Sequence, residues 1–307
     1  MKKIAILGVT GYIGKSLLSE FFKEKGKYEL FLFSRSKDKV KELIKNKPKD
    51  YKITIGSFDK FNSLDVDVII NSIGINNPLV LGKEPAAIFK VTEDIDNMIL
   101  DYLKRKPKTL YINLSSGAVY GDNFSNGIND KSKSILNINN LSVSEYYSIA
   151  KINAEAKHRV MSNFNIVDIR VFAFFSQFVD VKSAFLMSEI INCLKNKKVL
   201  ITSETDIVRD YISPEDLFSL IKLVIKKGKI NDFFDVYSLK EVSKFKLLAF
   251  LKKKYKLEFS VKEIIKTDKR ITKNVYFSKN KKAEILGYKP KYTSLQGIEI
   301  EIDKMGF

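Results

Sequence analysis

The sequence predicts an α/β fold in which a doubly wound, parallel sheet is followed by a smaller C-terminal cap. Strand-like apolar runs alternate with helix-like apolar periodicity over residues 1–175, and this alternation is typical of βαβ units. A glycine-rich turn joins the first strand to the first helix. After Ser176 the rhythm changes to short strands and amphipathic helices, so we assign 176–307 mostly to the cap. A segment at about 206–236 is expected to return to the sheet.

The individual elements follow from the apolar pattern along the chain. Short runs that are mostly apolar predict strands at 3–7, 29–33, 51–55, 66–70, 109–114 and 166–172. Apolar residues spaced three and four apart predict helices at 15–22, 38–44, 88–103, 144–162, 183–195 and 244–254. Ser142 and Glu145 have the spacing of a capping box, which predicts where the helix that carries residues 144–162 begins.

Composition limits the class of protein. The chain has 307 residues, of which 45% are hydrophobic, and this suffices for one large domain or two smaller ones. Its one cysteine, Cys193, cannot form an internal disulfide, so we expect a reducing, cytoplasmic compartment. The first apolar run is too short for a signal peptide. The most apolar later stretch, 166–181, is interrupted by charged residues, so no membrane span is predicted.

The formal net charge of +18 has three explanations. A basic surface attracts nucleic acid, and it also attracts acidic small molecules or membrane surfaces. The third explanation is a lysine-rich composition without a specific partner. The lysines are spread along the chain, and the longest run, Lys252-Lys253-Lys254, lies in a predicted amphipathic helix. We therefore favour the third explanation and expect no specific nucleic-acid partner.

The turn after the first strand carries three glycines in Gly-x-x-Gly-x-x-Gly spacing. Such a turn lets the backbone approach a pyrophosphate, and the following helix N-terminus offers free N–H groups. The alternative is that the glycines serve only a tight turn. The strand before them and the helix after them favour nucleotide binding. The predicted cradle consists of Gly8, Thr10, Gly11, Tyr12, Ile13 and Gly14.

The end of the second strand distinguishes two cofactors. NAD requires an acid there to bind its ribose 2′-hydroxyl, but the sequence reads Phe33-Ser-Arg-Ser-Lys37. Arg35, flanked by Ser34 and Ser36, can pair with a 2′-phosphate, so we expect NADP and place NAD second. A solvated arginine on a basic chain is the alternative. Ile73 and Gly74, after the fourth strand, are assigned to the same cofactor site.

Two further motifs carry candidate chemistry. Tyr147 and Lys151 are four residues apart and share a helix face, whereas Tyr146 points elsewhere. With 14 tyrosines and 54 basic residues in the chain, this pair also arises by chance, as Tyr102 and Lys106 show. The strand that begins near Thr109 leads into a pair of hydroxyls, Ser115 and Ser116. Groups at the carboxyl end of a parallel strand face the ligand crevice.

The glycine turn, Ser115-Ser116 before Val119-Tyr120-Gly121, and Tyr147-x-x-x-Lys151 together resemble the extended short-chain dehydrogenase/reductase superfamily. Within it, the chain resembles the NAD(P)-dependent epimerase/dehydratase family of nucleotide-sugar enzymes, which are built on a Rossmann sheet. Arg209-Asp-Tyr and Leu286-Gly-Tyr-x-Pro290 extend the resemblance almost to the C-terminus.

This resemblance implies a role for each matching residue. Ser116, Tyr147 and Lys151 would be catalytic, and Lys151 would also bind the nicotinamide ribose. Ser115 and Ser116 would contact the substrate, and Arg209 would contact its diphosphate. On this basis residues 1–175 form the dinucleotide-binding domain and the cap binds substrate. A nucleotide sugar is the expected substrate, a homodimer is the expected assembly, and no metal is expected.

The chain also departs from the family pattern. Dehydratases of the family carry Asp-Glu after the catalytic hydroxyl, but Gly117 and Ala118 stand there and cannot exchange protons. A 3,5-epimerase needs acid/base residues near the sugar, and the only histidine and cysteine, His158 and Cys193, fit structural positions better. Phe172 begins Phe-Ala-Phe-Phe where the family often has Asn-Pro or Asn-Val, so the sugar contacts differ.

Ketone reduction remains after these exclusions, as does oxidation followed by return of the hydride without dehydration. The sequence favours an NADP-dependent reductase of a nucleotide-linked 4-keto sugar, a 4-keto-6-deoxy sugar used for surface polysaccharide. The first alternative is a nucleotide-sugar C4 epimerase with tightly bound NAD. The second alternative is a non-enzymatic nucleotide-sensing or RNA-binding relative that retains the fold. The Ser116, Tyr147 and Lys151 set disfavours this last alternative, whereas the charge of +18 favours it.

Overall fold

The computed structural model describes residues 1–45, 47–49, 51–75, 84–121, 124, 127–263 and 273–307. Its strands, in chain order, are β1 Lys2–Leu7, β2 Tyr28–Phe33, β3 Ile53–Ile55, β4 Val68–Asn71, β5 Leu110–Ser116, β6 Asn165–Val171, β7 Ala173–Phe174, β8 Leu200–Thr202, β9 Val208–Arg209, β10 Tyr211–Ile212, β11 Asn231–Asp235, β12 Val242–Ser243, β13 Phe259–Val261 and β14 Val275–Tyr276.

The helices lie between these strands in the order that βαβ units require. They are α1 Tyr12–Lys23, α2 Lys37–Leu43, α3 Ala87–Arg105, α4 Val143–Val160, α5 Leu186–Asn196, α6 Pro214–Lys227, α7 Lys244–Tyr255 and α8 Ser294–Asp303. Short 3-10 helices occur at Phe58–Ser63, Gly117–Tyr120 and Lys282–Leu286.

The central sheet has seven strands in the order β11-β6-β5-β4-β1-β2-β3, and every neighbouring pair is parallel. Alternate residues of a strand face opposite sides of the sheet. Accordingly, Ile4 and Ile6 belong to the apolar cluster that includes Leu17 of α1, whereas Ala5 belongs to the cluster that includes Ile99 of α3. The predicted doubly wound parallel sheet is confirmed.

Two element boundaries differ from the prediction in ways that affect the site. Helix α1 begins at Tyr12, three residues before the predicted start, so Gly14 lies in its first turn. Strand β5 continues to Ser116, two residues past the predicted end, so Ser115 and Ser116 lie in its last positions. The predicted capping box is present, and the Ser142 N–H donates to Glu145 Oε2 at 2.6 Å.

The C-terminal part has its own apolar cluster. This cluster joins α5, α7 and α8 through Ile190, Leu247 and Ile298, among others. Short strands link it to the sheet region, with β7 pairing β10 and with β9 lying between β12 and β14. The domain boundary between 175 and 176 stays a prediction. Over the described ranges, no helix is both long and apolar enough to span a membrane.

Candidate active site

The glycine turn is shaped by its backbone. Gly8 has a φ of +80°, and its carbonyl accepts the Gly11 N–H at 2.8 Å. A Cβ added at Gly14 would overlap the Gly8 carbonyl, because α1 passes directly over the end of β1. No side chain among the described residues caps α1 at Gly11, and the first N–H groups of a helix lack intrahelical partners. The turn therefore fits a pyrophosphate.

Two of the other predicted cofactor residues, Ser34 and Ile73, contact this turn. Thr10 Oγ1 lies 2.7 Å from Ser34 Oγ, which ties the glycine turn to the end of β2. Arg35 is exposed, and within the described part of the chain it makes no ion pair. Ser36 accepts the Lys39 N–H at the start of α2. A Cβ at Gly8 would lie 2.9 Å from Ile73 Cγ1, so the turn after β4 packs against the glycine turn.

The side chain of Tyr12 makes its hydrogen bonds outside the glycine turn. Its hydroxyl donates to the Phe174 carbonyl at 3.3 Å and accepts the Ser176 N–H at 2.8 Å. The Tyr12 side chain thus ties α1 to the beginning of the cap. Burial raises the pKa of this hydroxyl well above its usual range. Its assignment to the cofactor site concerns the backbone and stays a prediction.

Lys151 joins the helix α4 to the end of β5. It is buried, with 4% of its surface exposed, and its Nζ donates to the Leu114 carbonyl at 3.2 Å. The same Nζ lies 5.9 Å from the centroid of the Tyr147 ring and would lie 3.9 Å from a Cβ built on Gly74. The ammonium group is therefore near both the candidate proton donor and the turn after β4.

The neighbouring tyrosine has a different environment. Tyr146 packs edge-on against Phe89 of α3, with 6.2 Å between the ring centroids. Tyr147 is partly buried in the small cluster around Ile88 and Ala150. Of the two rings, only that of Tyr147 has the Lys151 ammonium within cation–π distance among the described contacts.

The two serines at the end of β5 also differ. Ser116 Oγ accepts the Ala118 N–H at 3.2 Å and lies 3.2 Å from the hydroxyl of Tyr276. Ser115 is buried, and its hydroxyl donates to Glu155 Oε1 at 2.6 Å. This hydrogen bond holds β5 against α4. The contact between Ser115 and substrate stays a prediction.

A buried ion cluster lies beneath these serines, and we call it the upper cluster: Tyr120, Glu155, Arg170, Asp235 and Ser278. Arg170 pairs with both oxygens of Glu155 and donates to the Tyr120 hydroxyl at 2.7 Å. That hydroxyl lies 3.1 Å from Asp235, which also accepts from Ser278. Burial raises the pKa of Asp235 to about 6, although Ser278 and Arg170 oppose the change.

Gly117, which follows Ser116 where dehydratases of the family carry an acid, packs closely against another side chain. A Cβ added at Gly117 would overlap the ring of Phe172, which begins the segment Phe-Ala-Phe-Phe. Phe172 is buried and packs with Phe124 and Tyr276. The Phe172 ring therefore leaves no room for a carboxylate side chain at position 117.

The cap contributes Arg209 and two residues that the sequence did not indicate. Arg209 donates to backbone carbonyls, including that of Lys273 at 2.7 Å, and its guanidinium lies 5.9 Å from the Tyr276 ring. Burial lowers the pKa of Arg209. Lys273 donates to the Gly121 carbonyl. No motif marks Lys273 or Tyr276, whose contacts with Gly121 and Ser116 join residues far apart in the chain.

His158 and Cys193 lie among structural side chains, as the sequence predicted. His158 is fully buried, with Nδ1 2.8 Å from Asp168 and Nε2 2.7 Å from Asp96. Burial opposes its protonation, but the two carboxylates outweigh burial and raise the pKa of His158 to about 9. Cys193 is partly buried beside the apolar cluster of the cap, and burial raises the pKa of its thiol.

Known structures share this fold over almost their whole length. UDP-glucuronic acid 4-epimerase from Bacillus cereus, in complex with UDP-glucuronic acid and NAD, is similar at a TM-score of 0.79 with 18% identity over 99% of each chain. RMD from Pseudomonas aeruginosa complexed with NADPH is similar at 0.75, with 16% identity over 100% of each chain. The dTDP-glucose 4,6-dehydratase from Bacillus anthracis in complex with NAD is similar at 0.75, with 17% identity over 99% of this chain and 96% of that one.

The sequence comparisons identify the family. No curated protein sequence matches this chain. The family model described as NAD dependent epimerase/dehydratase family matches residues 4–237, which include the glycine turn, both serines and the Tyr147–Lys151 pair. This confirms the resemblance seen in the sequence, and the chain belongs to the NAD-dependent epimerase/dehydratase family.

Proposed function

We propose that this protein is an NADP-dependent reductase of a nucleotide-linked 4-keto sugar, in particular a 4-keto-6-deoxy sugar. The observation that carries the proposal is the end of β2, where exposed Arg35 stands between Ser34 and Ser36 and residues 33–37 contain no carboxylate. Such a site suits a 2′-phosphate. The overlap between Phe172 and a Cβ at Gly117 supports the proposal because it excludes the acid that dehydration needs.

The residues divide the reaction between them. When bound, the nicotinamide cofactor supplies a hydride to the carbonyl carbon of the sugar. Tyr147 gives its hydroxyl proton to the carbonyl oxygen, so the C=O bond becomes CH–OH and the phenolate regains a proton from solvent. The buried Lys151 ammonium favours this transient negative charge. Ser116 donates a hydrogen bond to the same oxygen.

The alternative within the family is a nucleotide-sugar C4 epimerase with tightly bound NAD. The epimerase from Bacillus cereus shares the fold, and the Ser116, Tyr147 and Lys151 set suits either reaction. The difference lies in the cofactor, because a reductase consumes it once per turnover whereas an epimerase returns the hydride. A role in surface-polysaccharide synthesis, in the cytoplasm and as a homodimer, completes the proposal.

The test measures cofactor use and cofactor choice together. Purified protein is mixed with NADPH and a panel of nucleotide 4-keto sugars, and absorbance should fall in proportion to product. Arg35→Ala should weaken NADPH binding about tenfold, because an exposed charge-assisted bond contributes about 1.4 kcal/mol. NADH binding should stay nearly unchanged.

Lys41→Ala is the matched control, since it removes an equal charge that already pairs with Asp38 on α2. This variant should bind NADPH like the wild type. Protein that retains NAD through purification and interconverts two sugars without net cofactor change would overturn the reductase in favour of the epimerase.

A further inference from the structure

Tyr276 brings a second hydroxyl to the candidate catalytic serine. Its Oη lies 3.2 Å from Ser116 Oγ, although the two residues are 160 positions apart in the chain. Tyr276 belongs to β14 of the cap, and Ser116 ends β5 of the central sheet. This contact therefore joins the two halves of the site at the atom that would hold the substrate oxygen.

The position of Tyr276 is fixed from several sides. Strand β14 pairs in parallel with β9, which places Tyr276 opposite Arg209. The following Phe277 carbonyl accepts the Ile128 N–H at 3.1 Å, and Ser278 donates to buried Asp235 at 2.5 Å.

Two aromatic rings pack against the ring of Tyr276. Its centroid lies 5.2 Å from that of Phe172 and 4.9 Å from that of Phe124. The hydroxyl is therefore held in place before substrate arrives.

The hydrogen-bonding capacity of a hydroxyl sets the direction of the contact. A serine hydroxyl has one proton to donate and two lone pairs to accept with. Ser116 Oγ already accepts the Ala118 N–H, which uses one lone pair. For Ser116 to donate its proton to a sugar oxygen, its bond with Tyr276 must use the second lone pair, with Tyr276 as donor.

We propose that Tyr276 is a positioning residue that donates to Ser116 and so directs the Ser116 proton toward the substrate oxygen. The inference rests on the proposed function and applies equally to the reductase and the epimerase, since both need that proton at the sugar oxygen. Tyr276 acts through Ser116 and does not itself bind the sugar oxygen.

A double-mutant cycle tests this. Tyr276→Phe should lower kcat by about 3- to 10-fold, the range of one neutral hydrogen bond, and leave KM and NADPH affinity nearly unchanged. In the Ser116→Ala background the same substitution should have no further effect on kcat, because the residues act as one unit. Tyr255→Phe is the control and should match wild type, because the Tyr255 hydroxyl donates to Asp303 of α8. Losses that multiply in the double variant would show direct substrate contact and overturn the proposal.

A second measurement separates this proposal from the proposed function. With 3-fluorotyrosine at position 276, the ¹⁹F resonance should move in Ser116→Ala and stay in Ser115→Ala, without any substrate present. If the wild type turns over no nucleotide sugar, the proposed function fails and the resonance still decides the contact. A resonance unmoved by Ser116→Ala, or a crystal structure with the two oxygens more than about 3.6 Å apart, would overturn the role of Tyr276.

Discussion

Helix α4 carries two buried ion clusters that differ in what surrounds them. Near its middle, Glu155 belongs to the upper cluster, whose partners hold Ser115 of β5 and the segment after Tyr276. One turn later, His158 and Arg159 belong to what we call the lower cluster: Asp96, Lys157, His158, Arg159 and Asp168. There His158 bridges Asp96 of α3 and Asp168 of β6, and Arg159 pairs with Asp168 at 2.9 Å.

The two clusters differ in what their buried charges do. The upper cluster bonds to the hydroxyl of Ser115, next to Ser116, so its geometry contributes to the shape of the candidate site. The lower cluster pairs its charges among its own members, accepts further hydrogen bonds from Tyr111 and Asn113 of β5, and so joins α3, α4, β5 and β6. Changes at the catalytic half of α4 should therefore affect activity, and changes at the lower cluster should affect stability.

The largest expected effect is on activity at Tyr147. Tyr147→Phe should lower turnover by about 10²- to 10⁴-fold, because it removes the proton that the reaction requires. The midpoint of thermal unfolding and the affinity for NADPH should change little. Tyr146→Phe is the control, since that ring packs against Phe89, away from Lys151. Equal losses of turnover in both variants would contradict the assignment.

The next effect is on stability at His158. His158→Leu should lower the free energy of unfolding by about 3–5 kcal/mol, because two buried carboxylates lose the cation between them. Urea unfolding measures this, and NADPH titration of the folded variant should give wild-type affinity. Lys104→Ala, which removes an exposed pair with Asp101, should cost less than about 1 kcal/mol. A loss below that level for His158→Leu would show that the lower cluster does not stabilise the fold.

The contributions of the two clusters to the free energy of unfolding should also change in different pH ranges. The pKa of His158 rises from 6.5 to about 9 on folding, so its contribution is complete below about pH 6.5 and is lost as pH rises through 9. This amounts to about 3 kcal/mol. The pKa of Asp235 rises from 3.8 to about 6 on folding. Its contribution to the free energy of unfolding is therefore complete below about pH 3.8 and is lost as pH rises through 6.

Urea unfolding at several pH values measures both contributions. In wild type the free energy of unfolding should fall between about pH 6.5 and 9, and in His158→Gln this fall should be absent. A fall that persists unchanged in His158→Gln would assign it to other groups.

Local sequence signals determined the parts of the protein that depend on short stretches of chain. The parallel sheet follows from apolar runs alternating with apolar periodicity, and the tight turn after β1 follows from Gly8, Gly11 and Gly14. The Ser142–Glu145 cap and the shared face of Tyr147 and Lys151 follow from spacings within one helix. These features require only neighbours in the chain, so the sequence alone predicts them.

Only the tertiary structure decided which distant residues complete the site. Phe172 fills the space beside Gly117, Glu155 holds Ser115, and Tyr276 reaches Ser116 from the cap. The sequence showed each of these residues but not its partner, because the contacts span from 40 to 160 positions and arise from how β5, α4 and β14 pack. Spacing along one chain segment carries no information about such packing. The physical cause is the pairing of strands and the burial of side chains between elements that are far apart in sequence.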